Sequence, residues 1–280
     1  MQKAEYGVIG AGTLSKSLIG QVARKPRQIG AVVGVSFRVA SRMANSLRAG
    51  YAARCADELD DAPVILLHAP PDQVRAVAAL LENARIEWKD KPLILCDCEV
   101  PAAVIQHFHA LGASTATARQ FGVAGTIMLE GTQPALACAH RIAGELRLAA
   151  IEIAPGAADV FAAALTLATG ALTPLINRAA GLLRSCGLRD KEATQLATAL
   201  FEQTIQEYGH SGRQSWAWHI REPDVEQIEA EIAAVGEPFR DLFRQLIVTG
   251  LDHLERHPEV SLALRNRKPR EAAASAGDAS

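Results

Sequence analysis

The chain has 280 residues, 49% of them apolar and 21% charged, with a formal net charge of -2. That length allows roughly two domains of about 150 residues, and the composition is that of a globular chain, which excludes a disordered or fibrous one. Five cysteines at no disulfide-framework spacing fit reduced thiols. The N-terminus lacks a signal-like apolar stretch and no later run reaches the ~18 apolar residues of a membrane span, so a cytoplasmic protein without a membrane partner is expected.

Residues 5–10 read as a short strand, and residues 13–25 carry Leu14, Leu18, Val22 and Ala23 at helical spacing, closed by Pro26. A β-branched run at 31–37 predicts a second strand, followed by a helix through Met43 and Leu47 that stops at Gly50. Residues 62–71 predict a buried strand entering a proline turn, 72–85 a helix, and 92–98 another apolar strand. Further strands are expected at 113–118, 126–129 and 149–153, with a helix near 133–146. Strands alternate with helices and are too continuously apolar to face water on one side, which predicts a mostly parallel, doubly wound Rossmann-like α/β sheet. After Pro155 the periodicity becomes helical, giving an all-α second domain. The expected division is a dinucleotide-binding domain at 1–154, a helical substrate and dimerisation domain at 155–265, and a disordered tail at 266–280.

The turn after the first strand, Gly10-Ala11-Gly12-Thr13-Leu14-Ser15, is a dinucleotide fingerprint with serine at its third glycine position. Gly10 would make the tight turn and Gly12 would let the backbone approach a pyrophosphate at the helix start. The third position needs only a small side chain, so Ser15 weakens the pattern without abolishing it. In NAD-binding proteins an acidic residue near the end of the second strand holds the ribose 2′-hydroxyl. Here that place reads Ser36-Phe37-Arg38, then Ser41-Arg42. Guanidiniums in place of a carboxylate suit a 2′-phosphate, which implies NADP(H).

Charge points the same way. Between Glu5 and Asp57 lie eight Lys and Arg and no acid, a segment of +8 that leaves -10 for the rest. An acidic partner follows. Those cations follow the phosphate-binding turn, so a phosphorylated small molecule is favoured and nucleic acid is set aside. Cys96 and Cys98, two apart on a strand that could lie near His68, could share a face, but their spacing is shorter than that of paired zinc ligands and no metal site is expected.

Gly10-Ala11-Gly12, the Ser36-to-Arg42 segment, Ala69-Pro70-Pro71-Asp72 and Leu129-Glu130-Gly131 together resemble a Rossmann-like NADP-dependent oxidoreductase family related to pyrroline-5-carboxylate reductase. The resemblance covers about residues 5–255 and implies a helical C-terminal domain of unassigned function. On it, Gly10, Gly12, Thr13, Leu14, Ser15, Ser36, Arg38, Ser41, Arg42, His68, Ala69, Pro70 and Pro71 would bind the cofactor. The family's His-x-Ser-Gly-like strand end stands here as Cys96-Asp97-Cys98-Glu99, and its following His-Pro-containing loop is replaced near 116–121.

For chemistry, Thr166, Thr169, Thr173 and Asn177 fall at i, i+3, i+7 and i+11 of a helix expected at 159–181. Such a stripe could bind a substrate carboxylate or donate a proton to a reduced imine, or its threonines could bond to the preceding turn's carbonyls. No lysine lies on that helix, which favours imine reduction over hydroxyacid oxidation. The segment 206–224 gathers His210, Arg213, Trp216, Trp218, His219 and Arg221, readable as a packed helix connection or as a cover for a neighbouring subunit's site. The expectation is an NADP(H)-dependent reductase of an imine-type, pyrroline-like small molecule, assembled as a homodimer. The alternative is a catalytically inactive NADP(H)-binding regulator.

Overall fold

The computed structural model describes residues 4–25, 28–121, 125–212, 224–253 and 257–266. They divide into two compact units between Ala162 and Ala163. Arg213, Trp216, Trp218, His219 and Arg221, Pro26, and the tail beyond Asn266 therefore lie outside the described residues.

The first unit is an eight-stranded sheet in the order β3-β2-β1-β4-β5-β6-β7-β8. Its strands are β1 (Tyr6–Gly10), β2 (Ile29–Gly34), β3 (Tyr51–Ala52), β4 (Val64–His68), β5 (Pro92–Cys96), β6 (Ser114–Gln120), β7 (Thr126–Gly131) and β8 (Ala149–Glu152). Strands β1 to β6 pair in parallel, β7 runs antiparallel to β6, and β8 is parallel to β7. The sheet is thus mostly parallel and doubly wound, with the chain reversing beyond the point at which β1 and β4 lie side by side.

Both faces of the central strands are buried, which is why their sequences read as unbroken apolar runs. Alternate residues serve opposite cores. Val8, Leu66 and Ile94 pack with Leu18 and Val22 of α1 (Leu18–Val22), Met43 and Leu47 of α2 (Phe37–Leu47) and Ile142 of α5 (Ala135–Glu145). Ile9, Leu67 and Leu95 face the other way, against Val77 and Leu81 of α3 (Val74–Glu82) and Phe108 of α4 (Ala102–Ala110).

Several elements differ from expectation. The helix expected over 13–25 is a 3-10 turn at Leu14–Lys16 followed by the short α1. The two-residue β3 carries too little periodicity to be seen in the sequence. The 31–37 strand ends at Gly34, because Ser36 caps α2 by accepting from the Val39 amide at 3.3 Å. The single helix expected over 159–181 is α6 (Ala158–Leu165), a π turn at Thr166–Gly170 and α7 (Leu172–Ser185).

The stretch Ala158–Ser185 is also the one helix among the described residues long and apolar enough to cross a membrane by length and composition. Its most apolar 18-residue window has mean hydropathy 1.6 and none of it is buried within the chain. This corrects the expectation that no such run exists; in sequence the stretch is masked by interspersed Thr, Gly, Pro and Asn.

The second unit continues with α8 (Asp190–Ser211), α9 (Val225–Val235), α10 (Arg240–His253) and α11 (Pro258–Asn266). Ile228 and Ile232 of α9, Ile247 and Leu251 of α10 and Leu264 of α11 form a separate small core. A two-pronged ion pair, Arg244 to Glu229 at 2.6 and 3.0 Å, ties α10 to α9.

Candidate functional site: a glycine turn at the sheet's reversal

β1 and β4 are adjacent parallel strands in register, with Gly10 opposite His68. Any Cβ on Gly10 would collide with the His68 carbonyl oxygen, so only glycine lets the two strand ends approach this closely. The Ala11 amide donates to that same carbonyl at 2.9 Å. Gly12 follows with φ +81°, a conformation that favours glycine, and a Cβ there would lie 3.4 Å from Pro70 Cδ. The structure therefore brings Gly10, Gly12, His68 and Pro70 together, with Ala69 buried behind them and Pro71 exposed.

The turn is held in shape from within. Leu14 is buried and plugs it to the core, while the Ser17 hydroxyl donates to the Leu14 carbonyl at 2.7 Å. Thr13 is exposed and Ser15 half-buried. Neither the Gly12 nor the Thr13 amide donates to an acceptor among the described residues, and both residues face solvent. Two free N–H groups on a glycine-bent turn can take an anion. A five-residue α1 has little dipole to add, so the turn's own amides carry the site rather than the long helix expected from the sequence.

Gly20 was not foreseen. Its missing Cβ would lie 2.5 Å from the Ser15 carbonyl oxygen and 2.6 Å from that of Leu14. A close approach of α1 to the preceding turn is thus made at Gly20, five residues after Ser15.

At the end of β2, Arg38 and Arg42 stand on α2 at i and i+4, both exposed, with no ion-pair partner among the described residues. Ser36 and Ser41 flank them. No acidic residue occupies the first turn of α2. Phe37 beside them is 54% exposed, with the Arg54 guanidinium 6.0 Å from its ring centroid.

Beyond β5 the chain departs from regular strand geometry. Asp97 has φ +50°, and the reversal turns Cys98 away from the face that Cys96 occupies. Cys96 lies in the α1 and α5 core and Cys98 in the α3 and α4 core. The expectation that both thiols could share a face is corrected, because strand alternation ends at Asp97. Burial pushes the Cys96 thiol well above the usual thiol range and raises that of Cys98 to about 11. Neither is a thiolate near neutral pH. His68 Nδ1 donates to the Cys96 carbonyl at 2.8 Å, tying the ends of β4 and β5.

A cleft of about 560 Å³ opens beside this strand end, lined by Pro71, Arg75, Cys98, Glu99, Arg119 and Glu130 among others. Its volume suits a small molecule. Arg119 is 24% exposed and pairs at 3.1 Å with Glu99, which is 77% exposed. Glu130 accepts from the Gly156 amide. The cleft was not foreseen, since it assembles residues 71 to 162 from five separate segments. Phe121, in the loop after β6, meets Phe161 of α6 edge-on at 5.2 Å.

Thr166, Thr169, Thr173 and Asn177 belong to the second unit and are exposed. Thr169 donates to the Leu165 carbonyl at 2.7 Å and Thr173 to that of Thr169 at 3.5 Å. The π turn, marked by the Ala171 amide reaching the Thr166 carbonyl at 3.0 Å, adds a residue to the repeat. It breaks the single helical face expected for the four residues.

The order of the sheet, its reversal at β1 and β4, and the following helices define a Rossmann-like α/β fold with a helical C-terminal region. Solved structures share it over nearly their whole length. A reductive aminase from Aspergillus terreus in complex with NADPH and ethyl-5-oxohexanoate is similar at 14% identity and TM-score 0.59, over 94% of this chain and 92% of that one. A pyrroline-5-carboxylate reductase from Coxiella burnetii is similar at 14% identity and TM-score 0.55, over 95% and 97%. An imine reductase from a Pseudomonas species is similar at 12% identity and TM-score 0.57, over 94% and 91%. No protein-family model and no curated protein sequence matches the chain.

Proposed function

We propose that the chain is an NADP(H)-dependent oxidoreductase that reduces an imine-type small molecule. The observation that carries this reading is the pairing of two exposed amides, Gly12 and Thr13, with two exposed guanidiniums, Arg38 and Arg42, at the end of the neighbouring strand, none of the four having a partner among the described residues. The residues fit the group: Gly10 lets the strand ends close up behind the turn, a Cβ at Gly12 would crowd its exposed edge beside Pro70, and no carboxylate at the start of α2 opposes a phosphate. Gly12 and Thr13 would hold the diphosphate, Ser36, Arg38, Ser41 and Arg42 the 2′-phosphate, and the His68–Pro71 turn the opposite wall.

When bound, the cofactor supplies hydride. The protein then has to orient an electrophile and exclude water. A protonated imine asks little more, and similar solved structures carry the names of enzymes acting on such compounds. Thr166, Thr169, Thr173 and Asn177 remain the candidates for binding substrate or giving a proton. A homodimer is part of the reading, because Leu196, Leu200 and Tyr208 of α8 leave apolar surface uncovered.

A second reading, an NADP(H)-binding regulator without turnover, is favoured by one observation. The Thr169 and Thr173 hydroxyls are committed to their own helix, and burial keeps both thiols at the end of β5, Cys96 and Cys98, protonated near neutrality. Fluorescence titration with NADPH followed by a turnover screen on cyclic imines separates the two. Binding with turnover supports the reductase; stoichiometric binding without turnover supports the regulator; no binding removes both.

A further inference from the structure

We propose that Asp97 is a positioning residue for the cofactor's diphosphate, acting from the end of β5 through the far end of the glycine turn. The inference rests on the cofactor reading above. The turn from Ala11 to Ser17 has two ends. Its near end is pinned by the Ala11 amide on the His68 carbonyl at 2.9 Å. Its far end is pinned by Asp97: Oδ2 accepts from the Leu18 amide at 2.7 Å, across 79 residues of sequence.

Nothing local does this work. Ser17, at the cap position of α1, makes no side-chain cap, because its hydroxyl is turned back onto the Leu14 carbonyl, and no acid lies in the first turn. The Leu18 amide is one of the donors that a helix start cannot satisfy internally. Asp97 supplies its acceptor.

The carboxylate is itself held on both sides. Oδ1 accepts from the Gln120 amide at 2.8 Å, and the Asp97 amide donates to Ala118 at 2.9 Å. The Gln21 amide group donates to Gln120 Oε1 at 2.9 Å, closing a second link between α1 and β6. Asp97 adopts φ +50°, a region that costs most residues free energy and that aspartate tolerates better than others. That conformation is what directs the carboxylate to the two amides. The sheet thus fixes where the turn ends, and the Gly12 and Thr13 amides stay presented between two anchors.

The test uses full-length protein and four ligands. NADPH, NADH and ADP contain a diphosphate; adenosine 2′-monophosphate does not. Affinities are measured by calorimetry for wild type, Asp97→Ala and the near-isosteric Asp97→Asn, with thermal unfolding of each. Loss of the anchor should weaken the three diphosphate ligands by a common factor of about ten in Asp97→Ala, the equivalent of ~1.4 kcal/mol. Asp97→Asn, whose amide oxygen can still accept from one amide, should fall between. Adenosine 2′-monophosphate should bind all three proteins alike. Equal loss across all four ligands would mark a general folding role and overturn the proposal. Unchanged or tighter diphosphate binding in Asp97→Asn would do so too, the latter by showing that the carboxylate repels the ligand. A wild type that binds none of the four removes the cofactor reading itself, and this inference with it.

Discussion

The carbonyl oxygen of Ser15 occupies the space beside Gly20 that a side chain would need, 2.5 Å from where a Cβ would be. The neighbouring atoms are backbone and cannot swing aside. Gly20→Ala should therefore destabilise by ~1–3 kcal/mol through overpacking and weaken NADPH by displacing the turn. Ser15→Gly should leave NADPH affinity unchanged, because the close approach is made at position 20. Urea unfolding and a fluorescence titration of each variant check both statements. Tighter NADPH binding in Ser15→Gly would show that the serine does impair the fingerprint.

The fold was legible where burial imposes a pattern. Val8-Ile9 and Leu66-Leu67 are continuous because their strands are covered on both faces, and the 3.6-residue spacing of Val74, Val77 and Leu81 marks a helix with one buried side. Direction was not legible: STATARQ and TIMLEG read as strands, yet nothing in their alternation says that β7 opposes β6. The glycine turn and Arg38 could be found because their residue types announce a function at short range. Asp97 could not, since its meaning lies in Leu18 and Gln120, and its distance from them in sequence hides the contact. Gly20 was visible as a glycine in a helical stretch, but its reason is a carbonyl that only the folded turn brings near.

Glu145 at the end of α5 ties that helix to the segment between α1 and β2. Its Oε2 accepts from Lys25 at 3.3 Å and Gln28 at 3.2 Å. Burial pushes its carboxyl up, but hydrogen bonds from Gln28 and Lys25 and the charges of Lys25 and Arg141 outweigh that and hold it below the ordinary range. A depressed folded-state value means that the stabilisation is present above the unfolded-state pKa and is lost as pH falls through the folded one. Glu145→Gln should cost ~0.5–1 kcal/mol at pH 7, discounted for a side chain partly in solvent. The gap from wild type should close as pH falls below ~4.3. Denaturant unfolding at several pH values reads it, and a gap that persists in acid would assign the cost to packing instead of charge.

Along α8, Ala193 and Ala197 are buried while Leu196 and Leu200 are not, at 41% and 51% exposure. Leu196 and Leu200, one helical turn apart, therefore form an exposed apolar stripe on α8. If that stripe joins two copies, Leu200→Glu should convert a dimer to a monomer at micromolar concentration without loss of helical circular dichroism, because about half of the side chain is already exposed within the chain. Light scattering of wild type and variant decides. A monomeric wild type removes the dimer.

The cofactor preference follows from Arg38 and Arg42, one helical turn apart on the same side of α2 and free of ion-pair partners among the described residues. A charge-assisted hydrogen bond from either to a 2′-phosphate should contribute ~1.5–3 kcal/mol, so wild type should favour NADPH over NADH by at least about tenfold. Arg38→Ala should weaken NADPH while leaving NADH nearly unchanged, since NADH offers no phosphate there. Arg42→Ala should act in the same direction, and the double variant should bind the two cofactors alike. Gly12→Val has a different signature. It places a branched side chain against Pro70 at a residue with φ +81°, so both cofactors should weaken together. Paired NADPH and NADH titrations on the four variants separate the two sets of contacts. Equal affinity of the wild type for both cofactors would release Arg38 and Arg42 from any role in phosphate recognition, leaving them as the solvated start of a surface helix.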